Sequence, residues 1–158
     1  MRPTLREGSS WPPLRFGARV ALVAVLVLVA GCGRDAGEVY RDSAVTVLLA
    51  SLSEGRSAEL AGRLWMAGRS THAFAVVLVS DSYTGVGTDT AWFEDQQPPA
   101  AVDDAVRERT LDALDAASSA VQGVRISLER SDRPGTRSAL AELRSANADL
   151  ESLAEELS

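Results

Sequence analysis

Lysine is absent from all 158 residues, and histidine and cysteine occur once each, as His72 and Cys32. These absences exclude chemistry. Without lysine there is no Walker-type phosphate loop, no Schiff-base enzyme and no Ser-x-x-Lys acyl-transfer site. A single cysteine permits no disulfide within the chain. A single histidine leaves a metal centre short of partners: the residue three before His72 is Arg69, not the glutamate that Glu-x-x-His bundle sites use. Ser70 lies two residues from His72, but closeness in sequence is not triad geometry. No Gly-x-Ser-x-Gly occurs either. With every basic residue except His72 an arginine and alanine abundant, the composition reads as GC-rich coding more than as function.

What is present begins with an apolar run. Arg19 precedes Val20-Ala21-Leu22-Val23-Ala24-Val25-Leu26-Val27-Leu28-Val29-Ala30-Gly31-Cys32-Gly33, and Arg34 follows. Basic residues, then an apolar run, then small residues are the layout of a secretory signal peptide. The run is short for a membrane span. Its fourteen residues reach about 21 Å at 1.5 Å each, against a hydrocarbon core of roughly 30 Å. A buried core helix also fits poorly, because nothing in the run is amphipathic.

The last four residues of the run, Val29-Ala30-Gly31-Cys32, resemble the lipobox of bacterial lipoproteins. The resemblance implies diacylglycerol on the Cys32 sulfur, with palmitate among its acyl chains. It also implies cleavage between Gly31 and Cys32 and a mature chain held on the extracytoplasmic face of the cell membrane. A plain cleaved signal peptide is the competing reading. The cysteine decides between them, since it stands where the lipobox demands one. Two or three acyl chains hold far more firmly than one, each buried methylene adding about 0.8 kcal/mol.

Residues 1–31 carry a formal charge of +3 and the rest −9, out of −6 in all. The 127 residues that remain after cleavage suffice for one domain with a core. So acidic a domain has no electrostatic footprint for nucleic acid, and an anionic membrane would repel it. Attachment therefore falls to the lipid.

The mature part predicts helices. After a polar tether over residues 32–37, a first helix runs from Glu38 to Ser53, with Val45, Leu48, Leu49 and Leu52 on one face. Glu54-Gly55 is expected to end it. Ser57 then caps a second piece in which Leu60, Leu64 and Ala67 share a face, and residues 68–71 form a bend. Between residues 72 and 94, the residues His72, Val76, Val79, Tyr83, Val86, Thr90 and Phe93 recur at alternating steps of four and three, which predicts a helix. The strand propensity of Val76-Val77-Leu78-Val79 leaves a hairpin as the alternative. Gly85 and Gly87 either permit close approach or mark a break. After Gln97-Pro98-Pro99, a long helix is expected over residues 99–130. Its stripe is Val106, Thr110, Leu114, Ala117, Val121, Val124 and Leu128, with Asp103, Asp104, Arg107, Glu108, Asp112 and Asp115 pointing elsewhere. Asp132 caps the last helix, whose stripe is Leu140, Leu143, Asn147, Leu150, Leu153 and Leu157. Asn147 is either a register-setting polar core residue or a rim residue.

The fold class is therefore all-α, an antiparallel up-down bundle of about four helices over residues 38–158. The mature part also resembles small helical lipoproteins of high-GC Gram-positive bacteria. The resemblance rests on Gln97-Pro98-Pro99 before an acidic helix and on Val124-Arg125-Ile126-Ser127-Leu128-Glu129-Arg130 before an Asp132 turn, and implies no activity.

Few residues are candidates for chemistry. Asp104, Glu108 and Asp112 align at four-residue steps near Asp115, but such a ridge opposite an apolar stripe is what a solvated face looks like. No metal and no cofactor is expected. Trp65, Tyr83, Trp92 and Phe93 either fill the core or, for Trp92-Phe93 at a bundle end, form a docking surface for a partner. The expectation is a lipid-anchored, non-enzymatic envelope protein that works by contact with another envelope component. A carrier binding an apolar ligand between helices, in a cavity lined by Val76, Val79, Val121 and Val124, is the alternative.

Overall fold

Four long helices follow one another through Asp35–Ser158, the residues described by the computed structural model. The apolar run, Gly31 and Cys32 lie outside the described residues. Helix α1 is Ala36–Met66, α2 is His72–Glu94, α3 is Asp104–Glu129 and α4 is Arg133–Leu157. A single 3-10 turn, Ala101–Asp103, leads into α3. No strand occurs among the described residues, so residues 72–94 are helix and not hairpin.

The first helix departs most from expectation. It does not stop at Gly55 but runs on to Met66, 31 residues in all, about 46 Å at 1.5 Å per residue. It also starts two residues before Glu38, on the side chain of Asp35, which accepts from the Gly37 N–H at 3.3 Å. Ser57 caps nothing: its hydroxyl donates back to the Ser53 carbonyl within the same helix.

At Gly55, α4 packs closely against α1. A Cβ on Gly55 would come within 3.0 Å of Asn147 Cγ. One heptad on, a Cβ on Gly62 would come within 2.9 Å of Leu140 Cδ2. Asn147 and Leu140 are likewise seven apart, so two glycines receive two larger side chains of an antiparallel neighbour. Asn147 is thus a core residue, 5 % exposed, not a rim residue. Small residues recur on the inner face of α1, whose buried set is Gly37, Tyr40, Ala44, Val47, Leu48, Ser51, Leu52, Gly55, Ala58, Ala61, Gly62 and Trp65. Leu49, Leu60 and Ala67, assigned to buried faces from their spacing, are exposed.

The other helices follow their stripes. Val79, Val86 and Phe93 of α2 are fully buried, as are Thr110, Leu114, Ala117, Val121, Val124 and Leu128 of α3. In α4, Leu140, Leu143, Leu150 and Leu153 are buried. Burial of each such leucine contributes roughly 1.5–3 kcal/mol. Gly85 permits close approach, lying under the Glu54 side chain, while Gly87 faces open space.

Short turns make successive helices antiparallel. Gly68, at φ +68°, closes α1 through bonds from its own N–H to Trp65 and from Arg69 N–H to Leu64, the αL termination that glycine favours. Ser131 closes α3 in the same way at φ 54°, and Asp132 caps α4 through Gly135 N–H at 3.0 Å. Paired contacts at both ends give the order around the bundle. Tyr40–Phe93 and Trp65–His72 join α1 to α2. Arg107 reaches the Glu94 carbonyl and His72 the Leu128 carbonyl between α2 and α3. Arg109–Glu156 links α3 to α4, and Arg56–Glu151 with Arg144–Glu59 links α4 to α1.

Candidate functional site

The bundle end where α1 and α3 begin collects the residues that depart most from an ordinary solvated surface. Asp103 was expected to face away from the core and is instead 1 % exposed. Its carboxylate lies against the first turn of α1, 3.5 Å from where a Gly37 Cβ would sit. The partial positive charge of a helix N-terminus stabilises an anion there, and Arg41 Nη2 adds an ion pair at 3.7 Å. The sequence carried a signal for this burial: Asp103, Thr110, Ala117 and Val124 are heptad-spaced, and all four face inward.

Tyr40 packs its ring on Phe93, centroids 5.6 Å apart, and both are buried. Burial raises the Tyr40 phenol above its ordinary value, Arg107 opposes that, and Asp103 and Asp104 add to it. Neither the Tyr40 hydroxyl nor Asp103 Oδ1 has a hydrogen-bond partner among the described residues. The pairing of Trp92 with Phe93 as a docking surface is therefore half corrected. Phe93 is core, because it continues the Val79–Val86 stripe of α2. Trp92, the next residue round the helix, is 47 % exposed. Val39 beside Tyr40 and Val102 beside Asp103 are exposed at the same end, by 46 % and 73 %.

His72 belongs to the opposite end. Its Nε2 lies 2.6 Å from the Leu128 carbonyl, so that nitrogen carries the proton and donates, tying the start of α2 to the end of α3. Its ring packs on Trp65 at 5.8 Å, and the Arg133 guanidinium covers Trp65 at 4.9 Å. These contacts assign His72 and Trp65 to closing the turn ends. Ser70 Oγ is buried and has no hydrogen-bond partner among the described residues.

Asp104, Glu108, Asp112 and Asp115 are all exposed along α3. Among the described residues, no group of three or more potential ligands is gathered closely enough to hold a metal. Nor is any described helix long and apolar enough to cross a membrane. Val79, Val121 and Val124 have no exposure and belong to the central core cluster, against which the half-buried Val76 packs. The surface grooves at Leu49–Leu60, Arg109–Glu156 and Ala116–Asp149 are open to solvent.

The surface is unevenly apolar. Among the described residues, the exposed large hydrophobic side chains are Val39, Leu49 and Leu60 on α1, Phe74, Val77 and Trp92 on α2, and Val102 before α3. Helices α3 and α4 present none. No protein-family model, curated protein or solved structure matches the chain.

Proposed function

We propose that the protein is a lipid-anchored, non-enzymatic helical bundle on the extracytoplasmic face of the cell membrane, acting by contact with another envelope component. The anchor is diacylglycerol on Cys32, added before cleavage between Gly31 and Cys32. The observation that carries the contact reading is the one-sided distribution of exposed apolar side chains. Leu60, Phe74 and Val77, each more than half exposed, lie where α1 ends and α2 begins. Apolar side chains concentrated on one side of a small domain mark an interaction surface more often than scattered ones do. The α3–α4 side, with Asp104, Glu108, Asp112 and Asp115, is the solvated face.

Two measurements test this. Cys32→Ala removes the thiol that the thioether requires, so the chain should persist as an uncleaved precursor without an acyl mass. Release of wild-type protein with Cys32 unmodified would defeat the anchor. A photo-crosslinking residue at Phe74 or Val77 should give one discrete adduct in intact cells, and the same residue at Asp112 none. Equal yields from both faces, or adducts from neither, would refute the contact surface.

A further inference from the structure

We infer that the end of the bundle bearing Val39, Trp92 and Val102 rests in the headgroup–acyl boundary of the bilayer, making a second, apolar contact beside the lipid anchor. The inference rests on the proposed lipidation of Cys32 and adds an orientation to it. Only Gly33 and Arg34 stand between Cys32 and Asp35, the cap of α1. Three Cα–Cα steps of 3.8 Å span at most about 11 Å. A lipidated Cys32 therefore keeps the start of α1 at the headgroups, while the far end of the 31-residue helix lies about 46 Å away along its axis.

The residues at the near end suit that depth. Val102 is 73 % exposed, Trp92 47 % and Val39 46 %, and none of them is needed to complete the core beneath them, which Tyr40 and Phe93 already close. Tryptophan, with an apolar body and one N–H donor, is the side chain that membrane–water boundaries favour. Charge contributes no attraction here: Glu38, Glu94, Asp95 and Asp104 outnumber Arg41 and Arg107 at this end, so an anionic surface repels it. The contact is apolar. Three such side chains would not hold a free domain, but an anchor makes their insertion intramolecular, at high effective concentration.

The natural tryptophans provide the test. After cleavage the chain keeps Trp65 and Trp92, and Trp65 lies about 38 Å along α1 from the level of Tyr40 and Phe93. Full-length protein is expressed in a lipoprotein-processing host, its N-terminal acyl mass is measured, and it is reconstituted into phosphatidylcholine vesicles with or without brominated acyl chains. The Trp92 share of the emission, wild type minus Trp92→Phe, should be lost to bromine quenching, while Trp65 in Trp92→Phe is untouched. Val102→Asp, at a position the folded core does not use, should reduce that quenching. An acylated protein whose Trp92 escapes quenching overturns this proposal alone. A product without acyl mass overturns the anchor and this proposal with it. Protection of Trp92 from acrylamide in native membranes but not in vesicles would show that a protein covers the end instead.

Discussion

Exchanging volume between Gly55 and Asn147 probes a close contact between α1 and α4. Gly55→Ala adds one methyl in the middle of α1, and helix propensity alone favours it by about 1 kcal/mol. The methyl would lie within 3.0 Å of Asn147 Cγ. Rotating the terminal amide cannot clear Cγ, and Asn147 is only 5 % exposed. Overpacking of this kind costs about 1–3 kcal/mol, so the single variant should be destabilised, by up to about 2 kcal/mol. Asn147→Ala removes a buried amide whose Oδ1 and Nδ2 have no partner among the described residues. An unmet amide costs about 1–3 kcal/mol, and the emptied space offsets that gain. In the double variant the new methyl on α1 takes the amide's place. The collision is gone and both propensity gains remain, so the double variant should exceed wild type by about 1–3 kcal/mol. Urea unfolding followed by circular dichroism on the chain from residue 35 onward gives all four corners of the cycle. Additivity within about 0.5 kcal/mol, or a Gly55→Ala variant that is stabilised alone, would refute the crossing.

Two further outcomes follow from the turns and the surface. Gly68 and Ser131 share the left-handed conformation, at φ 68° and 54°; Gly68→Ala should lose about 1 kcal/mol and Ser131→Gly gain about 0.5–1 kcal/mol in the same unfolding assay. A loss for Ser131→Gly would mean that its side chain does something beyond occupying the turn. The hydrogen bond from Arg109 holds the Glu156 carboxyl below its ordinary range. A lowered value stabilises the fold above the ordinary glutamate pKa and is lost as pH falls through the folded value. The small deficit of Glu156→Gln at neutral pH should therefore vanish in acid, and both side chains being exposed, it should also vanish in high salt. A deficit that grows toward low pH would contradict the pairing.

Periodicity predicted the helical class and the stripes of α3 and α4, and turn and capping residues predicted the bend at residues 68–71 and the Asp132 cap; for α2 it favoured a helix, and the structure removed the hairpin alternative that strand propensity left open. These are local properties: apolar side chains at steps of three and four share a face in any α-helix, and a cap bonds the next turn. Tertiary structure decided what depends on residues far along the chain. Gly55 resembles a helix stop until Asn147, ninety-two positions later in the sequence, packs into the notch it leaves. Leu49 and Leu60 look like core until glycine and alanine draw α4 onto the other side of α1, turning both leucines outward. Asp103 reads as a solvated acid beside Asp104. Only the first turn of α1, lying over it with Arg41, makes a buried carboxylate affordable there, because a helix end and a guanidinium replace the water it loses. Phe93 and Trp92 are neighbours with like chemistry, and one helical step of about 100° separates a core residue from an exposed one once α1 has chosen its side.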